Sequence, residues 1–291
     1  MISIRDRAAI APRPVRSAGS LDAAPAPMHH SPMDDVFEHN RAAWNRQARS
    51  GNCRWSEPVD AASIAAARRG DWQVILTPNR PVPRHWFGEL GGARVLCLAS
   101  GGGQQAPLLA AAGASVVSFD AADAQLARDA EVAAREGLDV ATVRGDMADL
   151  GCFRDATFDL VFHPVSNVFT ADVMPVWHEC RRVLRNGGRL LAGFMNPDYY
   201  LFDHDALERG AAPVATFELP FADTTHLGEE RLEARIAHGD PLEFSHSLDA
   251  QIGGQITAGF VIAGFYEDRW DPAATPLDRF MPTSMATLAR C

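Results

Sequence analysis

VLCLASGGGQQ, residues 95–105, is an apolar run that breaks into three glycines and two amides. Taken from residue 93, ARVLCLAS lacks the polar alternation of a half-exposed strand and suits one buried on both faces. QQAPLLAAAG then reads as a helix ending at Gly113, with Pro107 in the first turn, where a missing N–H costs little. The same rhythm continues outward. SVVSFD (115–120) is a second strand ending in an acid, and 122–136 places Leu126, Ala130, Ala133 and Ala134 at helical spacing. DVATVRGD holds a third strand and FDLVFH (158–163) a fourth. Val173, Val176, Trp177, Cys180, Val183 and Leu184 form a helical stripe that Asn186-Gly187-Gly188 is expected to stop, and RLLAGFM is a fifth strand. Strands alternating with helices over short loops predict a doubly wound α/β sheet, whose ligands bind beyond the carboxyl ends of the strands.

The loops after those strands carry the candidate site. Gly101-x-Gly103-x-x-Ala106 matches the nucleotide-binding G-x-G-x-x-G/A pattern, and Asp120 stands where an acid can accept two ribose hydroxyls. Both features suit NAD as well as S-adenosylmethionine, and glycines after a strand also make plain turns. Asp146 and Met147, just past the third strand, offer an acid and an apolar thioether for an adenine edge and face; the alternative for Asp146 is a helix cap.

The later segment from Phe158 to Phe194, with Arg182, Val183, Leu184, Gly187 and Gly188 in an RVL-x-x-GG turn, resembles the class I S-adenosylmethionine-dependent methyltransferases. The resemblance spans about 93–196 and extends to AGFVIAGFYED (258–268) as a sixth strand and TSMATLAR as an antiparallel seventh. It implies a Rossmann-like seven-stranded sheet, mostly parallel with an antiparallel last strand. It also implies S-adenosyl-L-methionine as cofactor. Carried over by position, Ser100, Gly101, Gly102 and Gly103 line its amino-acid end. Asp120 holds the ribose with Ala121 and Gln125 nearby, Asp146 and Met147 hold the adenine, and His163 and Pro164 face the methyl group. The family pattern D-x-G-x-G-x-G is altered here: Cys97 replaces the acid and Ala99 the first glycine. The methionine ammonium therefore needs another partner, from Gln104, a carbonyl near Ala99 or Ser100, or His163. The Ala99 methyl group is expected to keep φ negative. The ASGGGQQ loop and HPVSN after the fourth strand are similar to those of a subgroup of the family.

Methyl transfer is an in-line displacement that needs alignment and dryness more than covalent help. Where the acceptor must lose a proton, His163 is the candidate base; ordering the loop or touching the cofactor are its alternatives. Asn167 orients substrate or makes a turn. NPDYYLFDHD (196–205) offers Tyr199, Tyr200, Phe202 and His204 as walls of an acceptor site, against a plain surface loop with core aromatics. No metal is expected: Asp203-His204-Asp205 are adjacent residues that rarely converge on one ion, His29-His30 lies in the tail, and His178-Glu179-Cys180 lacks the second histidine of H-E-x-x-H. Trp44 or Trp55 could lie beside the sulfonium, but packing of a cap against the sheet is the expectation.

Composition bounds the rest. The 291 residues hold enough apolar side chains, 47%, for a sizeable core. Net charge is −10, which disfavours nucleic acid as a partner. Every basic residue outside the histidines is arginine, so Schiff-base and P-loop lysines are excluded, as is a Tyr-x-x-x-Lys oxidoreductase site. Five dispersed cysteines without a C-x-x-C pair fit a reducing, cytoplasmic setting and no zinc framework. No stretch suits a membrane span. The expected organisation is a disordered extension (1–33), an N-terminal helical cap (34–92) and a methyltransferase domain (93–291). An insertion at about 197–245 is read as a cap or lid, with 206–245 in it as a hairpin lid or a homodimer interface. The leading function is methyl transfer to an O, N, S or activated C atom of a small-molecule acceptor. An NAD(P)-dependent oxidoreductase and a non-catalytic S-adenosylmethionine-binding module are the alternatives.

Overall fold

The computed structural model describes residues 32–270 and 275–291. All but the last two residues of the expected extension, His29-His30 among them, lie outside the described residues. Helices α1 (Pro32–Ser50) and α2 (Ala61–Arg68) come first. They are followed by β1 (Arg94–Leu98), α3 (Gln105–Ala111), β2 (Ser115–Asp120), α4 (Asp123–Glu136) and β3 (Val140–Arg144). Next come β4 (Phe158–His163), α5 (Met174–Val183) and β5 (Leu184–Met195). Short helices α6 (His204–Glu208), α7 (Asp223–His226), α8 (Glu229–His238) and α9 (Gly254–Thr257) precede β6 (Val261–Asp268) and β7 (Ser284–Arg290).

The strands form one seven-stranded sheet in the order β3-β2-β1-β4-β5-β7-β6. Pairings among β1 to β5 are parallel, and β7 runs antiparallel to both β5 and β6. The alternation of side chains along β1 explains its unbroken apolar run. Val95 and Cys97 pack on one face with Trp72, Trp86, Phe87 and Leu109; Leu96 and Leu98 pack on the other with Phe119, Phe158, Val176 and Trp177. Each such buried aliphatic side chain contributes about 1.5–3 kcal/mol, so both layers depend on this strand. Strand order reverses between β1 and β4, and the crevice opens there, beyond the strand ends.

Three local expectations are corrected. First, Asn186-Gly187-Gly188 does not stop α5. The helix has ended at Val183, and Leu184 is already extended and in register with Phe158. Gly187, at φ 76°, makes an irregularity within β5, where the β4–β5 register shifts between Phe158 and Leu160. Second, Ala99 has φ 47°, in the left-handed region. Its N–H is fixed by the Phe119 carbonyl at 2.8 Å, so strand pairing imposes a conformation that costs an L-residue about 1–2 kcal/mol. Third, the insertion is not a hairpin. RLEARIAH lies in α8, with Glu229 and Glu230 in the first turn, Arg235 and His238 in the last, and Gly239 at φ 77° as its left-handed cap. Those end charges suit the helix dipole, and the glycine suits the stop.

Helix α1 returns over the crevice. Asn45 accepts the Ala124 N–H (2.8 Å), tying α1 to the start of α4. Buried Asn40 donates to the carbonyls of Phe169 (3.1 Å) and Leu242 (2.9 Å) and accepts the Leu242 N–H (2.7 Å). One side chain thus joins α1, the loop after β4 and the insertion. No helix among the described residues is long and apolar enough to cross a membrane.

Candidate functional site

Under α1, at the carboxyl ends of β1 to β5, lies a cavity of about 1060 Å³. That is the upper end of the roughly 300–1,000 Å³ of small-ligand clefts, so it has room for two ligands side by side. Of the residues expected at the site, Ser100, Gly101, Asp120, Ala121, Gln125, Asp146, Met147, Pro164, Tyr199 and Tyr200 line it. Gly102, Gly103, Gln104, His163 and Asn167 do not.

The glycine loop is held from behind. Gly102 N–H donates to the Trp55 carbonyl (3.1 Å), and the Gly103 carbonyl accepts the Val59 N–H (2.8 Å). A Cβ on Gly102 would overlap the Gln125 carbonyl, and one on Gly101 would stand 2.5 Å from the Trp55 carbonyl. The glycines therefore let segment 54–59 and α4 close against the loop. Gln104 belongs to the same clamp: its amide donates to the carbonyls of Arg54 (2.7 Å) and Glu57 (2.9 Å), which corrects its expected place at the ligand. Its neighbour Gln105 lines the cavity instead, oriented by the Ile75 N–H on its Oε1 (3.2 Å).

The acid absent at Cys97 has a counterpart on α4. Asp129, 1% exposed, accepts the Gly103 N–H (2.6 Å) on one oxygen and the Ser118 hydroxyl (2.6 Å) on the other. Burial pushes its carboxyl up to about 7, against the pull of those two hydrogen bonds. Asp120 is likewise raised to about 7, by burial and then by the charge of Asp129, while the Ala122 N–H on its Oδ1 (2.8 Å) works the other way. Asp146 accepts the Ala148 N–H (2.9 Å), and burial raises it too. Ser100 lines the cavity, and its Oγ is buried with no hydrogen-bond partner.

His163 is corrected as a base. It is 0% exposed and does not line the cavity. Its Nδ1 lies 3.0 Å from the Leu98 carbonyl oxygen and its Nε2 2.7 Å from Asn167 Oδ1, and the ring stands edge-on to Trp177. Burial lowers its pKa, so the ring stays neutral and its single N–H serves one of the two oxygens at a time. Asn167 passes the chain on to Gln251 (2.9 Å), Gln251 is tied to Gln255 (2.9 Å), and Gln255 to Thr287 (3.0 Å). HPVSN thus opens a buried polar relay that fastens β1 and β4 to α9 and β7. Only Pro164, Val165 and Ser166 of that motif reach the cavity.

The far end, beyond β4 and β5, is walled by Phe37, Trp44, Phe169, Met195, Tyr199 and Tyr200. Trp44 meets Phe169 edge to face at 5.0 Å, whereas Trp72 and Trp86 are buried in the core. Trp55 and Trp270 both line the cavity and meet at 5.8 Å, with the Arg54 guanidinium about 5 Å from each ring. Tyr200 donates to Glu243 (2.8 Å), another lining residue. His204 is stacked on Tyr199, and Asp203 and Asp205 both pair with Arg231. Phe37, Arg41, Ile75, Gln105, Glu243 and Trp270 went unread in the sequence. The tryptophans alone marked the N-terminal segment; nothing near Arg41 or Glu243 signals a site.

A methyltransferase-domain family model matches residues 96–192. The uncharacterized methyltransferase YbaJ of Bacillus subtilis is 44% identical over 255 residues, which is 88% of this chain and 98% of that one. A solved S-adenosylmethionine-dependent methyltransferase from Mesorhizobium loti superposes with a TM-score of 0.55 at 21% identity, covering 72% of this chain and 95% of its own. The 1,6-didemethyltoxoflavin-N1-methyltransferase of Burkholderia thailandensis, solved with its substrate and S-adenosylhomocysteine, also scores 0.55, at 15% identity, over 94% of this chain and 97% of its own. At such identities these two structures share the fold.

Proposed function

The chain belongs to the class I S-adenosylmethionine-dependent methyltransferases, and on that footing we propose that it methylates a small-molecule acceptor inside the cavity under α1. The observation that carries this reading is the cavity's division. Nucleotide-type groups lie after β1, β2 and β3, and an aromatic chamber follows β4 and β5.

The lining fits an adenosyl group bearing an amino acid. The Asp120 oxygen left by Ala122 is an acceptor for ribose hydroxyls, and ionised Asp120 gains charge-assisted hydrogen bonds there. Asp146 offers an oxygen to an exocyclic amine, with Phe119 and Met147 as apolar faces for the ring. Ser100 and Gln105, whose carboxamide is oriented by the Ile75 N–H, line the part of the cavity left for the amino-acid end. When bound, S-adenosylmethionine supplies an electrophilic methyl group on a positive sulfur. The chain's own contribution is alignment and exclusion of water, which Trp44, Phe37 and Phe169 serve from above. Among the described residues, no histidine lines the cavity, so any proton released goes to a carboxylate or to water.

Titration calorimetry tests the reading. S-adenosylhomocysteine should bind with measurable heat and NAD should not. A clean NAD isotherm with no response to S-adenosylmethionine or its product would overturn it.

A further inference from the structure

The far wall of the cavity restricts the acceptor. Asp146 and Ser100 follow β3 and β1 and Asp120 closes β2, whereas Met195 closes β5 and Tyr199 and Tyr200 follow it. With the nucleotide across the first three strands, the β5 end is left for the acceptor. Glu243 stands there. Its Oε2 accepts the Tyr200 hydroxyl (2.8 Å), and its Oε1 is 3.7 Å from the Arg235 guanidinium. Arg235 lies closer to Asp223, at 3.0 Å, so one arginine faces two carboxylates and leaves Glu243 undercompensated.

The rest of the lining has the same sign. Among the described residues, its charged side chains are Glu38, Arg41, Asp120, Asp146, Asp172 and Glu243. Arg41, the single cation of that set, is held by Glu38 at 2.6 Å. An anionic acceptor would meet carboxylates with no free cation, in surroundings that strengthen repulsion. An amine would meet a fixed carboxylate, and an ionised donor–acceptor pair is roughly twice as strong as a neutral one.

We propose that the acceptor is a small amine-bearing molecule, neutral or cationic, whose N–H group is read by the Glu243 carboxylate while Tyr200 holds that carboxylate in place. The assignment rests on the methyl-transfer reading above. It gives Glu243 the selection of the acceptor and leaves the reacting atom unassigned.

The test uses the full chain saturated with S-adenosylhomocysteine and two matched probe sets: tryptamine, tryptophol and indole-3-acetate, and benzylamine, benzyl alcohol and benzoate. Calorimetry or thermal shift should rank amine above alcohol above carboxylate, with amine over carboxylate by about tenfold or more. Glu243→Gln should shrink that gap to within about threefold at unchanged S-adenosylhomocysteine affinity, which also shows that the variant is folded. Tyr200→Phe, which keeps the carboxylate but frees it, should reduce the gap by a smaller factor. A carboxylate that binds as well as its amine, an amine preference that survives Glu243→Gln, or no binding by either set would overturn the proposal. Failure of S-adenosylhomocysteine itself to bind the wild type would overturn the underlying reading instead.

Discussion

At the β1–β3 end of the cavity each polar group follows its strand directly: Ser100 just after β1, Asp120 closing β2, Asp146 just after β3. At the β5 end the groups come from far apart in the chain, with Phe37 and Trp44 on α1, Tyr200 after β5 and Glu243 in the insertion. Parallel pairing alone brings the first set together. The second is assembled from separate segments, with Asn40 fastening α1 to Phe169 and Leu242 and the Phe244 N–H bonded to the Val168 carbonyl. The near end is therefore local and the far end tertiary, and substitutions should divide along that line.

The largest effect is expected at the near end. Asp120→Ala removes hydrogen bonds from a charged group, each about 1.5–3 kcal/mol, and should weaken S-adenosylhomocysteine binding roughly 100-fold or more by calorimetry. A loss below about fivefold would break the comparison, because the nucleotide would then be held elsewhere. The same carboxylate sets a pH signature. With its pKa raised to about 7, ligand affinity should climb as pH passes through that value, and Asp120→Asn should flatten the climb. Stability runs the opposite way. Folded Asp120 holds a proton that the unfolded chain, with a pKa of about 3.9, gives up; its contribution is full below about pH 4 and is lost as pH rises through about 7.

Next comes His163→Ala, which empties a buried site and strands the Leu98 carbonyl and the Asn167 amide. It should cost about 3 kcal/mol in denaturant melts and move turnover and ligand affinity little beyond that loss of folded protein. A selective fall in turnover would return His163 to the chemistry. Its lowered pKa adds a sign: the unfolded imidazole takes a proton below about pH 6.5 and the folded one does not, so its contribution is lost as pH falls through that range.

Asn40→Ala probes the seam between the two ends. It leaves buried partners on Phe169 and Leu242 unsatisfied and should cost about 2 kcal/mol of stability. Binding of S-adenosylhomocysteine should survive within about threefold, while the tryptamine affinity falls further. Equal losses would mean that the ends are not independent. The smallest effect is at Ala99, where glycine accepts φ 47° without strain but enlarges the unfolded ensemble. Ala99→Gly should stabilise by about 0.5 kcal/mol or less, read as a small rise in Tm.

Legibility followed the same division. The strands SVVSFD and FDLVFH fall where their apolar runs place them, because a fully buried parallel strand must be apolar on both faces. Asp120 and Asp146 were legible because a loop that follows a buried strand has one place to go. Gln104 and Gln105 were harder. The loop geometry that sends Gln104 to the Arg54 and Glu57 carbonyls and Gln105 to the cavity depends on segment 54–59, which motif reading does not position. His163 misled for a related reason: a histidine at a strand end reads the same whether its ring turns toward the crevice or, as here, onto Leu98 and Asn167. The hairpin expected around residues 206–245 is reduced to a short antiparallel contact of 221–223 with 243–245, because the charged stretch between them forms α8.

By itself, the order of residues determined the doubly wound sheet, the edge at which ligands bind and the acids that follow its strands, since each depends on neighbours within a few residues. Only the tertiary structure decided that Asp129 holds the glycine loop in place of Cys97, that His163 is sealed behind the crevice, and that Glu243 meets Tyr200 in its far wall. Those contacts join side chains far apart in the chain, and their distances are set by how helices and the insertion pack, which no local pattern encodes.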